Sequence, residues 1–300
     1  MSIYNIVAST DEATVVSEYI PDKSARSEKY QSEADLEREF IRQLEAQGYE
    51  YLNIHSEKEL IDNLRAQLEK LNNYKFTNSE WDRFFTECIA NNNDSIVEKT
   101  RKIQDDYIQI LKRDDGTTKN IYLLDKRDIQ NNFLQVINQY EETGGRYKSR
   151  YDVTILVNGL PLVHVELKRR GVDLREAFNQ ISRYQRDSFW ASSGLFEYVQ
   201  IFVISNGTLT KYYSNTTRNN SIKEQNDSLR KNGKKHSNSF KFTSYWADAN
   251  NKIIPDLMDF TKTFFAKHTL LNILTKYCVF TSEDVLLVMR PYLIVAAERI

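Results

Sequence analysis

The run from Arg150 to Gly171, RYDVTILVNGLPLVHVELKRRG, constrains the fold of this chain more than any other part of it. Two halves with period-two patterning flank Asn158-Gly159, which predicts a β-hairpin. Charge sits at its open end, where Asp152 is followed fourteen residues later by Glu166-Leu167-Lys168. Alternate residues of a strand share a face, so Glu166 and Lys168 point one way and Leu167 the other. Register decides whether Asp152 joins them. Pairing Asp152 with Glu166 requires an index sum of 318, which a three- or five-residue loop centred on Gly159 produces. A two-residue Asn158-Gly159 turn gives 317 and sends the two carboxylates to opposite faces. In the first register one face holds Val153, Ile155, Val157, Val163, Val165 and Leu167, and the other holds Asp152, Thr154, His164, Glu166 and Lys168. The second register buries charge among valines at a cost of several kcal/mol per group, so the sequence argues against the two-residue turn.

Two carboxylates facing each other across a hairpin repel unless a cation lies between them. A hard divalent ion, Mg2+, suits such a pair because it takes oxygen ligands. Lys168 on the same face adds a positive group that can orient or activate water and offset charge on a phosphate. Together the three read as metal-assisted phosphodiester hydrolysis. The plainer alternative is a set of solvated charges on an edge hairpin. Glu166-Leu167-Lys168 is nevertheless the only acid-x-Lys tripeptide in the chain. On the following helix Gln180 and Tyr184 are spaced i, i+4 and share a face, where an amide and a phenol suit a nucleic-acid backbone or base. Arg169, Arg170 and Arg175 flank the motif as candidate phosphate contacts. Glu37 is a candidate outer metal-site acid, and His164 reads as polar filler.

Around this motif the order is helix, three strands, helix, strand. SEADLEREFIRQLEAQG predicts a helix capped by Ser32, with Leu36, Phe40, Ile41 and Leu44 inward and Gly48 closing it before a short strand. Glu57 to Leu71 and Trp81 to Ile89 read as helices of an insertion. Asp105 to Leu111 and Asn120 to Asp125 read as a hairpin about Asp114-Asp115-Gly116, and Asn132 to Tyr140 as a strand. Asp173 to Asp187 is a helix and Tyr198 to Ile204 a strand. Residues 1–30 read as an arm. Between Ser214 and Phe240, six Asn and six Lys or Arg against two acids mark a basic loop. Ile253 to Phe280 reads as a helical stretch, and the apolar pattern still running at Ile300 suggests a truncated piece.

The formal net charge of -1 excludes a globally basic nucleic-acid coat, so a polyanion must meet a local patch. No apolar run approaches the ~18 residues of a membrane span, and no leader pattern opens the chain. Cys88 and Cys278, far apart in unrelated contexts, fit a reducing cytoplasm. No P-loop pattern occurs, so ATP is not expected to bind through one here.

SEADLEREF, NIYLLDK, the hairpin run, REAFNQISRY, FVISNGT, KHTLLN and RPY resemble the N-terminal region of the restriction (HsdR) subunit of type I restriction enzymes, in its EcoR124I-like branch. The resemblance implies an α/β fold with a PD-(D/E)xK restriction-endonuclease-like core, a mixed central sheet in αβββαβ order with helical insertions. It places Asp152, Glu166 and Lys168 at the catalytic positions, with the Leu167 carbonyl joining the two acids as a metal ligand. Gln180 and Tyr184 match the family's Q-x-x-x-Y motif, and Glu37 its first-helix acid. The implied division is an arm at 1–30, the nuclease domain at 31–260 with a helical insertion at about 57–90, and a linker at 261–300 leading into a translocase. Leu293 stands where the family has a Gln that contacts adenine. The implied activity is Mg2+-dependent cleavage of double-stranded DNA away from the recognition site, with methylation and specificity subunits as partners and ATP used by the full-length subunit. A silent docking or regulatory module and a nuclease for structured DNA or RNA are the alternatives.

Overall fold

The computed structural model describes residues 4–9, 14–20, 31–216 and 242–298. Strands Tyr4–Ser9 (β1) and Thr14–Tyr19 (β2) pair antiparallel, so the expected arm contains a hairpin. The buried Tyr19 hydroxyl at its end donates to Asp259. Helix α1 (Glu33–Glu45) starts at a capping box in which Ser32 Oγ accepts from the Asp35 amide and the Asp35 carboxylate accepts from the Ser32 amide. Its buried stripe of Leu36, Phe40, Ile41 and Leu44 matches the spacing in the sequence. The chain then enters the two-residue strand β3 (Glu50–Tyr51).

Helix α2 (Glu57–Leu71) lies where the leucine spacing puts it, with Ser56 and Glu59 forming a second capping box. The next helix begins earlier than the apolar pattern, because Thr77 caps it: α3 (Asn78–Phe84) passes into one π-helical turn, Phe85–Ile89. Helix α4 (Ile96–Gln104) has no counterpart in the sequence reading. The expected hairpin forms from β4 (Ile108–Lys112) and β5 (Thr118–Tyr122).

Six strands make the central sheet in the order β10-β9-β8-β7-β6-β3. They are β3, β6 (Leu134–Glu142), β7 (Ser149–Val157), β8 (Leu160–Leu167), β9 (Ile201–Ser205) and β10 (Thr210–Ser214). β3 pairs parallel with β6 and β8 parallel with β9, while the remaining pairs are antiparallel. All eight residues of β8 are buried, since it lies between β7 and β9 with both faces covered. The candidate hairpin is therefore not at an edge.

The register corrects one step of the sequence argument. Asn158 and Gly159 do form a two-residue turn, both with positive φ, and Val157 pairs with Leu160. A bulge then leaves Leu162 unpaired: Leu156 faces Pro161, Ile155 faces Val163, and Val153 faces Val165. The excluded turn and the favoured register coexist because one extra residue on β8 separates them. Pro161, which has no amide proton for the ladder, marks the place. Asn158 earns its left-handed backbone by bonding Phe133 through both main chain and side chain, and through its side chain Leu123 and Asn132. A Cβ on Gly159 would lie 2.6 Å from Leu64 Cα, so α2 packs directly against the turn of the site hairpin.

Helix α5 (Leu174–Asp187) follows β8 and is capped by Asp173. The stretch read as one helical run divides into α6 (Leu257–Thr263), α7 (Lys267–Thr275) and a strand, β11 (Cys278–Phe280), paired with β12 (Leu286–Val288). The β-branched and aromatic Cys-Val-Phe triplet favours the strand over a continued helix. The proposed boundary at 260 falls inside α6, whose Phe260 packs at 5.5 Å from Phe265, itself 5.5 Å from Phe40 of α1. Helix α8 (Pro291–Glu298) carries Leu293 on an exposed position. Most of the basic Asn-rich loop lies outside the described residues. Among the described residues no helix is long and apolar enough to cross a membrane.

Candidate active site

Asp152 and Glu166 come together at the open end of the β7–β8 hairpin. Asp152 Oδ2 accepts from the Leu167 amide at 2.9 Å, which fastens the acid of β7 to the end of β8. Glu166 has no exposed surface, and its Oε1 accepts from Lys168 Nζ at 2.8 Å. The same ammonium donates to the Leu167 carbonyl at 2.9 Å, so carboxylate and carbonyl face one point. Lys168 is held just beyond β8 by its amide, which donates to Ser205 O on β9.

Burial pushes both carboxyls up: Asp152 to about 8, with the Glu166 charge adding to it, and Glu166 to about 7 against the pull of Lys168. The two titrate as a unit. Burial works against the Lys168 charge, but the Glu166 and Asp152 carboxylates outweigh it and hold the ammonium above its usual range. In this state Lys168 donates hydrogen bonds and does not take a proton. Glu166 Oε2 is buried without a hydrogen-bond partner, 3.6 Å from His164 Nε2, which also lacks one. Burial keeps His164 neutral, down at about 4. Its Nδ1 meets Thr154 Oγ1 at 3.2 Å and its ring is bounded by Tyr151, Tyr184, Phe189 and Phe202. His164 is thus the packed polar filler that the sequence suggests.

Among the described residues no three His, Cys, Asp or Glu side chains gather as a metal cage. What the site offers instead is hard oxygen: two carboxylates, one carbonyl and an unsatisfied buried lone-pair site on Glu166 Oε2. That donor set fits a divalent ion of the Mg2+ type, which keeps several waters, rather than zinc.

The site opens into a cleft of about 500 Å³ lined by Asp152, Lys168, Gln180 and Tyr184 together with Glu33, Tyr147, Lys148, Ser149, Arg150, Arg183 and Asp187. Gln180 and Tyr184 share the face that their spacing predicts, yet their hydrogen bonds are internal. Gln180 Nε2 donates to Tyr184 Oη at 2.5 Å and Tyr184 Oη donates to the Arg150 carbonyl at 2.7 Å, two residues before Asp152. The pair braces β7 beside the site.

Glu37 has a different place from the one expected. Its two oxygens accept from Asn138 Nδ2 at 2.6 Å and Gln139 Nε2 at 2.5 Å. Gln139 has φ +52 in mid-strand, and the ladder pairs Asn138 with Val153 and Tyr140 with Tyr151 while skipping Gln139 and Asp152 between them. Glu37 therefore holds the distorted segment of β6 opposite Asp152. The α1 acid that lines the cleft is Glu33, one turn earlier. Arg169 and Arg175 are exposed and Arg170 half-buried, and none of the three lines the cleft. Besides Lys168, the basic groups that do line it are Lys148 and Arg150 of GGRYKSR, at the entry to the Asp152 strand, and Arg183, three residues after Gln180. A glycine pair followed by three cations and an aromatic was the available signal.

A mixed central sheet with α1 and α5 packed against it, an acid pair on its middle strands and a lysine just past the end of one of them make this an α/β domain of the restriction-endonuclease-like class. A family model described as the N terminus of type I restriction enzyme R proteins matches residues 30–221, and the chain belongs to that family. It is 51% identical over 295 residues to the type I restriction enzyme EcoprrI endonuclease subunit of Escherichia coli, covering 98% of this chain and 88% of that one. It is 41% identical over 278 residues to the SauMW2ORF169P endonuclease subunit of Staphylococcus aureus strain MW2, and 39% identical over 275 residues to the SsaAORF53P endonuclease subunit of Staphylococcus saprophyticus. Each of these two alignments covers 90% of this chain and 27% of the relative.

Proposed function

We propose that this chain is the Mg2+-dependent endonuclease portion of a type I restriction R subunit, hydrolysing phosphodiester bonds of double-stranded DNA in the cytoplasm. The observation that carries the reading is the convergence of Glu166, the Leu167 carbonyl and the Lys168 ammonium on one point beside Asp152, at the base of a cleft. Asp152, Glu166 and the Leu167 carbonyl are the ligands we assign to the ion, which when bound supplies positive charge against that developing on the phosphate oxygens. Lys168, once turned out of its bonds to Glu166 and Leu167, presents its ammonium to the attacking water or a non-bridging oxygen and holds it in line. Glu33 borders the same cleft and accepts weakly, at 3.3 Å, from the Arg169 amide, fixing the end of the motif loop. Residues 31–260 form the core of this unit in our reading, with α6 and α7 completing it. Methylation and specificity subunits supply site recognition, and ATP-driven translocation belongs to the larger assembly.

Supercoiled plasmid with Mg2+ is the direct assay. Lys168→Ala and Asp152→Asn should each lower cleavage by about a hundredfold or more without unfolding the chain. Wild-type nicking by either variant would reject the assignment.

A further inference from the structure

The cleft has an acidic floor and a cationic rim, and the rim has no role in the chemistry above. Asp152 lines the floor with Lys168, and Glu166 is buried directly behind them, whereas Lys148, Arg150 and Arg183 line the wall and are exposed. Of the two other acids in the lining, Asp187 is neutralised by Arg186 through bonds of 2.9 and 2.8 Å, and Glu33 accepts from the Arg169 amide at 3.3 Å. Lys148 meets only an exposed partner, Glu141, at 2.8 Å. Among the described residues no carboxylate lies within ion-pair distance of Arg150 or Arg183. A phosphodiester brought to an acidic floor is repelled unless neighbouring phosphates are held elsewhere, and this rim is placed to hold them.

The rim is also built to keep its shape. The loop between β6 and β7 lies on the end of α5: the Arg146 amide donates to Asp187 O at 2.8 Å, and a Cβ on Gly145 would meet that same oxygen at 2.7 Å. A Cβ on Gly144 would lie 2.6 Å from Ser192 Oγ. From this docked loop Tyr147 projects into the cleft lining while 64% exposed. An exposed aromatic beside fixed cations offers a stacking surface for a sugar or base.

We propose that the β6–β7 loop, the first residues of β7 and the C-terminal half of α5 form a DNA-holding rim, in which Arg150 and Arg183 contact phosphates flanking the scissile one and Tyr147 packs against the adjoining nucleoside. This rests on the nuclease reading for its substrate class, and it moves DNA contact away from Arg169, Arg170 and Arg175.

The test is fluorescence anisotropy of a labelled duplex of roughly twenty base pairs, over a salt series without divalent ion. The Arg150→Ala/Arg183→Ala double variant should bind about tenfold or more weakly at low salt and lower the slope of log affinity against log salt by about two. The Arg150→Lys/Arg183→Lys variant should keep most of the slope. Tyr147→Ala should weaken binding with the slope unchanged, and Arg169→Ala should match wild type. Wild-type affinity and slope in the double alanine variant would overturn the proposal, as would absence of duplex binding by the wild-type chain. Calorimetric Mn2+ binding on the same proteins separates the two readings: duplex binding that follows the rim while Mn2+ fails to bind supports the rim and rejects only the nuclease assignment.

Discussion

Lys168 donates to Glu166 Oε1 at 2.8 Å from a position two residues along the same face of the chain. With its second bond to the Leu167 carbonyl, the ammonium sits on two of the oxygens that we assign to a divalent ion. The protein's own cation and the metal then compete for one place. Lys168→Met should therefore bind Mn2+ more tightly than wild type, by about tenfold, while losing cleavage. Isothermal titration calorimetry reads the affinity, and weaker binding in the variant would contradict the competition.

The acid pair makes metal-free stability depend on pH. Asp152 has its folded pKa raised to about 8, above its unfolded value, so the folded chain keeps a proton that the unfolded chain releases. No cost is present below the unfolded pKa of about 4. Stability then falls as pH rises through that window and levels off above about 8. The melting temperature without divalent ion should drop by a few degrees between pH 5 and pH 8, and Asp152→Asn or added Mg2+ should flatten the decline. A stability that rises over this range in the wild type but not in Asp152→Asn would reverse the assigned sign.

Tyr184 ties α5 to the strand that carries Asp152 through its bond to the Arg150 carbonyl. Tyr184→Phe removes this donor and leaves the ring packed at 4.8 Å from Tyr151. Urea unfolding should show a loss of about 1–2 kcal/mol, and cleavage should fall although the hydroxyl has no assigned part in the reaction. Unchanged stability and cleavage would show that the brace is idle.

Two glycines with the same φ of +82 should respond differently to alanine. Gly116→Ala meets open space and should cost about 1 kcal/mol from backbone strain. Gly159→Ala adds a clash with Leu64 Cα at 2.6 Å and should cost about 3 kcal/mol or more. Chemical denaturation of both variants checks the difference, and equal losses would argue against close packing of α2 on the site hairpin.

The clustering of the candidate site residues is more legible in the sequence than the geometry that brings them together. Asp152, Glu166 and Lys168 were legible because period-two alternation and the cost of burying charge fix a face, and the capped helices α1, α2 and α5 were legible from side-chain spacing. The two-residue turn was misread because alternation assumes a regular ladder, and only Pro161 hinted at the bulge. Glu37 reads as a candidate outer metal-site acid, and its residue type does not reveal that two amides, Asn138 and Gln139, reach it from β6. The cleft's cations at Arg150 and Arg183 are not legible in the sequence, because a wall assembled from the start of a strand and the second half of a helix has no fixed spacing.

In the mechanism proposed above, Asp152 and Glu166 hold a divalent ion that cleavage requires. Calorimetric titration of Mn2+ into the wild-type chain and the Asp152→Asn/Glu166→Gln variant tests it most directly. One site per chain in the wild type and none in the variant, with both proteins folded, is the predicted result. An undiminished site in the variant, or no site in the wild type, would rule out Asp152 and Glu166 as the metal ligands.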